Sequence, residues 1–570
     1  MLTRKMDGTT MLKIGFIQAP GTDPRSYGIP LAFGYITSVL QHEWGQPFDF
    51  RITNEPYDLV EYRPDVIGIG SVTSCFWQVI EFADIFRREL PGTKLVVGGH
   101  HISALPHRLP KTIDVGVIGE GEDTFLDLMR HYEPDAGWGY ETLRNISGIC
   151  YHARNGNVLQ TPPTTLRREI DTLPFPLRTK NPTRPDEAVV FTSRGCPFRC
   201  SYCSTQEYWE SYRRFSAGYF VRELKHILES TPDVKSVYIL DDLYVADRRR
   251  LREMARLIDE SGLNQKLSFH GFVRSNLVDE ELCELLKTMN VSAIRFGAES
   301  GSDNVLQRME RGGKCSVASH QRAIDLADQY GMACGASFML GYPGETLDDM
   351  KKTFDFIHRN KDKIFVEGFY LTVPLPGTEL WTWAMDKGWV SESMDWRSLN
   401  LSFDNPDFDW NNFLYLNEET VPRPQFISAI LDSGILPETV AWRGRSNDHP
   451  NLALEFINRT MSVLAKDGIR RVVLYGAGLH TRRLERDLVN IPVEIVGVID
   501  DNKELHGRHL GRFRIHHPDE VAGLGAEAVI LSSDQNEETL WRRCDRFGRL
   551  GIPVRRLYGP GNREPHCVGG

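Results

Sequence analysis

The sequence predicts an α/β protein in which a partial (β/α)6 TIM-like barrel lies between two Rossmann-like domains. Apolar strand patterns alternate with amphipathic helix patterns over residues 12–132 and 188–373, and a shorter alternation covers residues 471–532. Strands that alternate with helices build parallel sheets covered by helices. We therefore expect an N-terminal domain at 1–150, a linker at 151–187, the barrel at 188–390, a mainly helical extension at 391–465 and a small domain at 466–570.

Length and composition limit the functions open to the chain. It has 570 residues and a formal net charge of −10, which argues against non-specific nucleic-acid binding. It contains no run of about eighteen apolar residues, so we expect no membrane span. Its ten cysteines are scattered and no signal peptide precedes them, which favours reduced thiols in the cytoplasm.

The N-terminal domain carries five predicted strands, at 12–17, 48–53, 65–70, 94–97 and 114–118. Such sheets bind ligands at the carboxyl ends of their strands, where small residues let a ligand approach the backbone. His100 and His101 also lie there, either as ligand contacts or as exposed loop histidines; we favour loop contacts over metal ligation. The candidate ligand contacts are Ser71, Thr73, Ser74, Gly98, Gly99 and His100.

The barrel begins with a strand at 188–192 that leads into Cys196, Cys200 and Cys203. Three thiolates in a CxxxCxxC spacing suit a soft metal centre. A closed zinc site needs four ligands, and no fourth cysteine or histidine lies at zinc-like spacing. An iron–sulfur cluster with three thiolates instead leaves one iron open to a small molecule. The alternative is three ordinary buried thiols.

Charged residues follow the next three barrel strands, where functional groups of such barrels cluster. Asp241 and Asp242 are a carboxylate pair that suits ligation, acid–base chemistry, an ammonium partner or a helix cap. Arg274 suits a carboxylate. Glu299 ends the fourth strand and is expected to face inward.

The cysteine motif, with Tyr202 before its last cysteine, resembles the signature of the radical S-adenosylmethionine (radical SAM) superfamily. The resemblance implies a 4Fe–4S cluster on the three cysteines, whose fourth iron chelates SAM and whose electron cleaves it to a 5′-deoxyadenosyl radical. It places Asp241 or Asp242 at the SAM amino group and Glu299 at the ribose or amino group. Arg274 is expected to hold the SAM carboxylate or a substrate acid, and Ser337 is expected to approach SAM.

The N-terminal domain resembles the cobalamin-binding domain that precedes the barrel in one radical SAM subgroup. Residues 97–101 and 119–122, which include Glu120, carry this resemblance. The Asp-x-His-x-x-Gly motif that supplies a histidine to cobalt is missing, because residues 18–28 contain no histidine. Either cobalamin binds without a histidine ligand, or the domain has lost cobalamin and serves as a scaffold.

The C-terminal regions give weaker signals. Tryptophans and phenylalanines between residues 381 and 410 either line a substrate pocket or pack an accessory cap, and we favour the cap. In the last domain, Gly476 and Gly478 with Asp500 resemble a dinucleotide site, but Thr481 replaces the third glycine. We expect substrate recognition or docking there rather than NAD binding.

The leading hypothesis is a cobalamin-dependent radical SAM methyltransferase that acts on an unactivated carbon of a small molecule. The alternative is a cyclisation, ring contraction or rearrangement, and a third hypothesis is a non-catalytic sensor. The first two imply a 4Fe–4S cluster, SAM, cobalamin and an external flavodoxin- or ferredoxin-like electron donor. No nucleic-acid or membrane partner is expected, and the oligomeric state is open.

Overall fold

A computed structural model describes most of the chain in two compact units. The first contains Met1–Ile52 and Pro64–Ser446, and the second contains Thr53–Arg63 and Asn447–Gly570. No helix among the described residues is long and apolar enough to cross a membrane. The structure describes residues 11–19, 30–134, 136–179, 184–311, 315–399, 401–403, 408–410, 412–436, 452–478, 480–482, 484, 488, 491–533 and 537–557.

The N-terminal sheet has the strand order β2-β1-β3-β4-β5-β6-β7. The pairings β1–β3, β3–β4 and β4–β5 are parallel, whereas β6 and β7 are antiparallel to their neighbours. The strands are β1 Leu12–Gln18, β2 Phe48–Thr53, β3 Val66–Gly70, β4 Lys94–Gly98, β5 Val115–Val117, β6 Ile149–His152 and β7 Val158–Gln160. The helices are α1 Leu31–Glu43, α2 Pro56–Tyr62, α3 Phe76–Glu89, α4 His100–Ala104, α5 Glu122–Arg130 and α6 Tyr140–Arg144.

The sheet continues past the boundary expected at residue 150. Strands β6 and β7 form a hairpin in which His152 pairs with Val158, and it lengthens the sheet beyond β5. Gly156 turns the hairpin with a φ of +84°, a conformation that glycine adopts without strain. The part of the expected linker up to residue 160 is therefore sheet, and the Asn155–Gly156 turn was the sequence signal for it.

The barrel is a six-stranded parallel sheet in the order β17-β16-β14-β13-β12-β8, which confirms the predicted six repeats. Its strands are β8 Glu187–Val190, β12 Ser236–Ile239, β13 Ser268–Phe272, β14 Val291–Glu299, β16 Ala333–Leu340 and β17 Phe365–Leu371. Two short ribbons flank it, made of β9 Ser193–Arg194 with β11 Arg213–Arg214 and of β10 Arg199–Cys200 with β15 Glu310–Arg311. The barrel helices are α7 Thr205–Trp209, α8 Ala217–Ser230, α9 Arg248–Glu260, α10 Glu280–Thr288, α11 Asp303–Met309, α12 Val317–Gln329, α13 Leu347–Arg359 and α14 Glu379–Asp386.

The extension after the barrel contains helix α15 Arg423–Asp432 and an aromatic cluster. Phe403 stacks on Trp410, and its ring also contacts those of Phe408 and Phe426. These rings therefore pack against one another. Residues 437–451 of the predicted extension lie outside the described residues, and α16 Leu452–Lys466 belongs to the second unit.

The second unit is a six-stranded sheet in the order β20-β21-β19-β18-β22-β23. The strands are β18 Arg471–Tyr475, β19 Glu494–Ile499, β20 His509–Leu510, β21 Phe513–His516, β22 Ala528–Leu531 and β23 Val554–Arg556, with short helices α17 Glu537–Trp541 and α18 Asp545–Gly548. Asp500 accepts a hydrogen bond from the Ala477 amide at 2.7 Å, inside the glycine turn. The Asp500 carboxylate, which would bind the ribose in a dinucleotide site, is thus already hydrogen-bonded to the glycine turn.

Helix α2 belongs to this second unit although it follows β2 in the chain. Glu55, at its N-terminus, pairs with Arg482 and accepts a hydrogen bond from the Gly511 amide at 3.0 Å. Asp58 lies 3.1 Å from the Nδ1 atom of His509. The second unit is therefore assembled from two distant parts of the chain.

Candidate active site

The three cysteines of the CxxxCxxC motif lie on the loop that leaves β8. Cys196, Cys200 and Cys203 are partly exposed, whereas all other cysteines of the described chain are buried. Thiols placed in the interior behave as small apolar groups, while accessible thiols can ligate a metal. The donor set therefore fits an iron–sulfur cluster. The buried cysteines are Cys75, Cys150, Cys283, Cys315, Cys334 and Cys544.

The two ribbons hold this loop in place. Ribbon β9–β11 pairs the residues just before the cysteines with residues 213–214, and so closes the loop at its base. Ribbon β10–β15 includes Cys200 itself. Gly195 has a φ of +82°, and a Cβ atom there would come within 2.8 Å of the Ser211 carbonyl. Only glycine fits this close approach without strain.

The two aspartates after β12 have different environments, which separates their roles. Asp241 is buried and accepts hydrogen bonds from the Thr192 amide, the Thr192 hydroxyl and the Ser193 hydroxyl, each at 2.6 Å. Its carboxylate thus fixes the strand that leads into the cysteine loop. Asp242 is exposed and accepts a hydrogen bond from Thr205 at 3.0 Å. The surrounding loop still desolvates this carboxyl group and raises its pKa to about 6.

Arg274 lies beside the cysteine loop, as expected from its place after β13. Its guanidinium stacks over Phe198 at 4.1 Å, and its Nη1 atom is 3.5 Å from the Cys200 sulfur. A fixed cation at this point can hold a carboxylate next to the thiolates. Its Nε atom donates to Asn276 at 3.1 Å, which orients the guanidinium.

Glu299 and Tyr202 meet across the barrel mouth. The Tyr202 hydroxyl donates to Glu299 at 3.0 Å, and Glu299 adopts a φ of +59°, which is rare for a non-glycine residue. Burial and the nearby carboxylate raise the pKa of Tyr202 well above its usual value, so it stays a donor. Strain of this kind concentrates at functional sites.

Ser337 faces the barrel interior. On β16, Ala336, Phe338 and Leu340 are buried, while Ser337 and Met339 are partly exposed. Phe338 contacts Phe356 of α13, so the buried side of β16 faces the helices and Ser337 faces the lumen. After β16, Thr346 caps the N-terminus of α13 in a capping box.

The strand ends of the N-terminal sheet form a cradle. Gly99 has a φ of +109°, and a Cβ atom there would lie 2.1 Å from the Ser71 carbonyl. The Ser71 hydroxyl is buried and makes no hydrogen bond within the described part of the chain. Thr73 is also buried, whereas Ser74 and Gly98 are partly exposed. A close backbone approach beside an available hydroxyl fits a bound polar ligand such as the cobalamin tail.

His100 and His101 both lie in the first turn of α4. They are therefore not exposed loop histidines, which was one of the two alternatives. His101 is buried against Phe76, with ring centroids 3.8 Å apart. His100 stacks on Tyr208 at 4.0 Å, and burial lowers its pKa to about 4. His101 is therefore a packing residue, and His100 marks the contact between the N-terminal sheet and the cysteine loop.

Glu120, which the sequence predicts to contact a cofactor, lies in an ion-pair network. Its carboxylate pairs with Arg194 at 2.5 Å and with Arg213. Arg194 also binds Glu122 at 2.5 Å. These pairs fix the orientation of the Glu120 carboxylate. A cavity of about 220 Å³ opens beside these residues.

Comparisons with known families match the chain in three places. Residues 190–357 match the radical SAM superfamily, residues 57–129 match the B12 binding domain, and residues 468–555 match the family described as C2185-like, N-terminal. The first two matches cover the cysteine loop and the strand ends described above.

Several curated proteins resemble the chain. An uncharacterized methyltransferase of Pyrococcus horikoshii is 29% identical over 65% of this chain and 81% of its own length. The cytidylyl-2-hydroxyethylphosphonate methyltransferase of Streptomyces wedmorensis is 25% identical over 63% and 78%. An anaerobic magnesium-protoporphyrin IX monomethyl ester cyclase of Rubrivivax gelatinosus is 25% identical over 51% and 54%.

Two solved structures share the fold. The radical SAM methyltransferase TsrM from Kitasatospora setae, with tryptophan substrate and a SAM analogue bound, aligns with a TM-score of 0.55 at 17% identity, over 67% of this chain and 79% of its own. The cobalamin-dependent SAM radical enzyme OxsB aligns with a TM-score of 0.56 at 16% identity, over 80% and 68%.

The chain is therefore a radical SAM enzyme with a B12-binding domain in front of its barrel. It is similar to methyltransferases in sequence and to a cobalamin-dependent radical SAM enzyme in fold.

Proposed function

We propose that this enzyme methylates an unactivated carbon of a small-molecule substrate. The observation that carries the proposal is the contact between the two candidate sites. Tyr208, five residues after Cys203, stacks on His100 at the end of β4 and donates to the Gly119 carbonyl at 3.1 Å. A radical generated at the cysteine loop would then form beside the domain that holds the methyl donor, and close placement of reactants lowers a barrier.

When bound, the cluster with SAM supplies a hydrogen-abstracting radical, and cobalamin supplies a methyl group. The chain's own residues hold and orient these groups. In our proposal Cys196, Cys200 and Cys203 ligate iron. Asp242 accepts from the SAM ammonium and Arg274 binds the SAM carboxylate, while Asp241 holds the loop.

We propose that the Tyr202–Glu299 pair contacts the ribose or the amino group of SAM. Ser337 would approach SAM from the barrel lumen. On the cobalamin side we propose backbone and hydroxyl contacts from the strand ends. These residues are Ser71, Thr73, Ser74, Gly98, Gly99 and His100. Glu120 acts instead as an anchor for the two arginines.

We also propose that cobalt carries no histidine from this chain. His101 is buried against Phe76 and His100 is stacked on Tyr208, which leaves neither ring free to turn toward a ligand. In the cob(II)alamin form of the holoenzyme, the electron paramagnetic resonance (EPR) spectrum should show no nitrogen superhyperfine splitting from a histidine of the protein. A threefold splitting that becomes twofold when the protein's histidines carry 15N would contradict this proposal. Free cob(II)alamin at neutral pH, whose own base ligates cobalt, gives the threefold pattern for comparison, and that pattern does not change with the label.

A rearrangement without methyl transfer is the second candidate, supported by the likeness to the cyclase. The products separate the two reactions. Methylation should yield S-adenosylhomocysteine and 5′-deoxyadenosine in about equal amounts, because one SAM restores the methyl donor and another makes the radical. Cyclisation or ring contraction should yield 5′-deoxyadenosine alone. Both products are measured by mass spectrometry in anaerobic reactions with a reductant.

The remaining assignments complete the proposal. We propose a flavodoxin- or ferredoxin-like protein as electron donor and the cytoplasm as the site of action, since the cluster needs a reducing compartment. We propose that residues 188–390 act as the radical-generating barrel and that the N-terminal domain, whose sheet extends to residue 160, is the cobalamin domain. The extension at 391–436 would cap the barrel, and the second unit, which includes residues 452–557, would recognise substrate or a docking partner.

A further inference from the structure

Arg194 is a buried cation held by two acids from another domain. Only 3% of its side chain is exposed, and it binds Glu120 and Glu122 at 2.5 Å each. Its guanidinium also lies over the rings of Tyr35 and Trp209, at 5.2 and 5.5 Å. Every face of this group is therefore occupied by protein, and the reaction proposed above gives it no task.

The position of Arg194 in the chain ties these acids to the cysteine loop. It lies two residues before Cys196, in the ribbon that closes the loop, where it pairs across the ribbon with Arg213. Arg213 also binds Glu120. The base of the cysteine loop is thus fastened to residues 119–122, the segment between β5 and α5 of the B12-binding domain.

The far side of the loop is fastened to the same segment. Helix α7 follows Cys203, and its Tyr208 hydroxyl donates to the Gly119 carbonyl while its ring stacks on His100. The three cysteines are therefore bracketed by two attachments, one ionic and one aromatic, to the strand ends proposed to hold cobalamin.

We infer that Arg194 is a positioning residue that couples the cobalamin-binding strand ends to the cluster loop. The inference rests on the proposed binding of both cofactors. A buried cation and its acids are stable only together, because separating them leaves uncompensated charge in the interior. Ordering the cysteine loop around its cluster should then favour the position of residues 119–122 that binds cobalamin. Such a coupling works equally in both directions.

The test measures the affinity for hydroxocobalamin by equilibrium dialysis, on full-length protein with and without its reconstituted 4Fe–4S cluster. In the wild type, we expect the cluster to tighten binding by roughly fivefold or more, the lower end of typical couplings. In Arg194→Gln the ratio of the two dissociation constants should fall clearly below the wild-type ratio, while iron content stays at the wild-type level. Arg194→Lys, which keeps the charge, should restore part of the ratio.

Arg167→Gln is the matched control. Arg167 binds Asp123 at 2.5 Å and Glu43 at 3.0 Å, so the substitution removes a more exposed ion pair from the same end of α5. The Arg167 carbonyl accepts a hydrogen bond from Arg213, and the side-chain substitution leaves that backbone group in place. The ratio in Arg167→Gln should equal that of the wild type. Glu122→Gln provides the second variant should Arg194→Gln not fold, as checked by circular dichroism. Its ratio should also fall below that of the wild type, because Arg194 then loses one of its two acids.

The outcomes separate the inference from the proposed function. A wild-type ratio in Arg194→Gln or Glu122→Gln, or a ratio of one in the wild type, overturns the coupling but leaves the methyltransferase intact. Failure of the wild type to bind hydroxocobalamin in either form overturns the cobalamin role and the coupling with it. Loss of the ratio in Arg167→Gln as well would show general loosening of the domain and also overturn the specific role of Arg194.

Discussion

Cys200→Ala is expected to abolish both the visible absorbance of the iron–sulfur cluster and the cleavage of SAM. Cys200 is the central thiol of the motif, anchored on ribbon β10–β15 and 3.5 Å from Arg274. With two thiolates left, the loop cannot hold three irons, and without a cluster no electron reaches SAM. The visible spectrum, together with iron and sulfide analysis, measures the loss of the cluster. The yield of 5′-deoxyadenosine measures the loss of SAM cleavage.

Cys283→Ala serves as the control for this variant. Cys283 is buried on α10 and behaves as a small apolar residue, so its loss should leave cluster content and SAM cleavage near wild type. Wild-type absorbance or substantial SAM cleavage in Cys200→Ala would refute the assignment of the cluster to this loop.

The second large effect distinguishes Asp241 from Asp242. Asp241→Asn should destabilise the protein by about 2–4 kcal/mol, because an amide cannot accept the three hydrogen bonds that the buried carboxylate now receives. Asp242→Asn should change stability by less than about 1 kcal/mol, as is usual for an exposed residue. Its affinity for SAM should instead fall by roughly tenfold or more, the loss of one charge-assisted hydrogen bond. Thermal unfolding and calorimetric titration with SAM measure the two effects.

The affinity for SAM should also depend on pH through Asp242. Its pKa is raised to about 6, so below that pH the carboxyl group is protonated and cannot pair with an ammonium. Binding should therefore strengthen as the pH rises through about 6 and then level off. In Asp242→Asn this rise should disappear. Equal losses of SAM affinity in folded Asp241→Asn and Asp242→Asn, or an unchanged pH profile, would contradict the division of roles.

The sequence predicted the first five strands of the N-terminal sheet because their signals are local. The strand at 48–53 has the predicted bounds, since an apolar run with turn residues at both ends leaves little choice. Strands β6 and β7, with four and three residues, were missed. Only the hairpin turn marked them.

Site residues were predictable where their spacing in the sequence indicates the chemistry. They were not predictable where a role depends on contacts made only in the folded chain. The cysteine motif identified the cluster loop, but the sequence could not separate Asp241 from Asp242, since adjacent residues share every local signal. The ion pairs of Glu120 could not be predicted, because its partners lie 74 and 93 residues away. No sequence pattern indicated a role for Arg194, because its burial results from the packing of the N-terminal domain against the barrel.

Helix α2 has a consequence for how the protein is made. Its partners Arg482, His509 and Gly511 lie 427 to 456 residues further along the chain. At a synthesis rate of about 5–20 residues per second, Glu55 and Asp58 wait roughly 20–90 seconds on the ribosome before those partners emerge. The segment after β2 thus waits throughout translation of the barrel, and the second unit can assemble only after residues up to Gly511 have been synthesised.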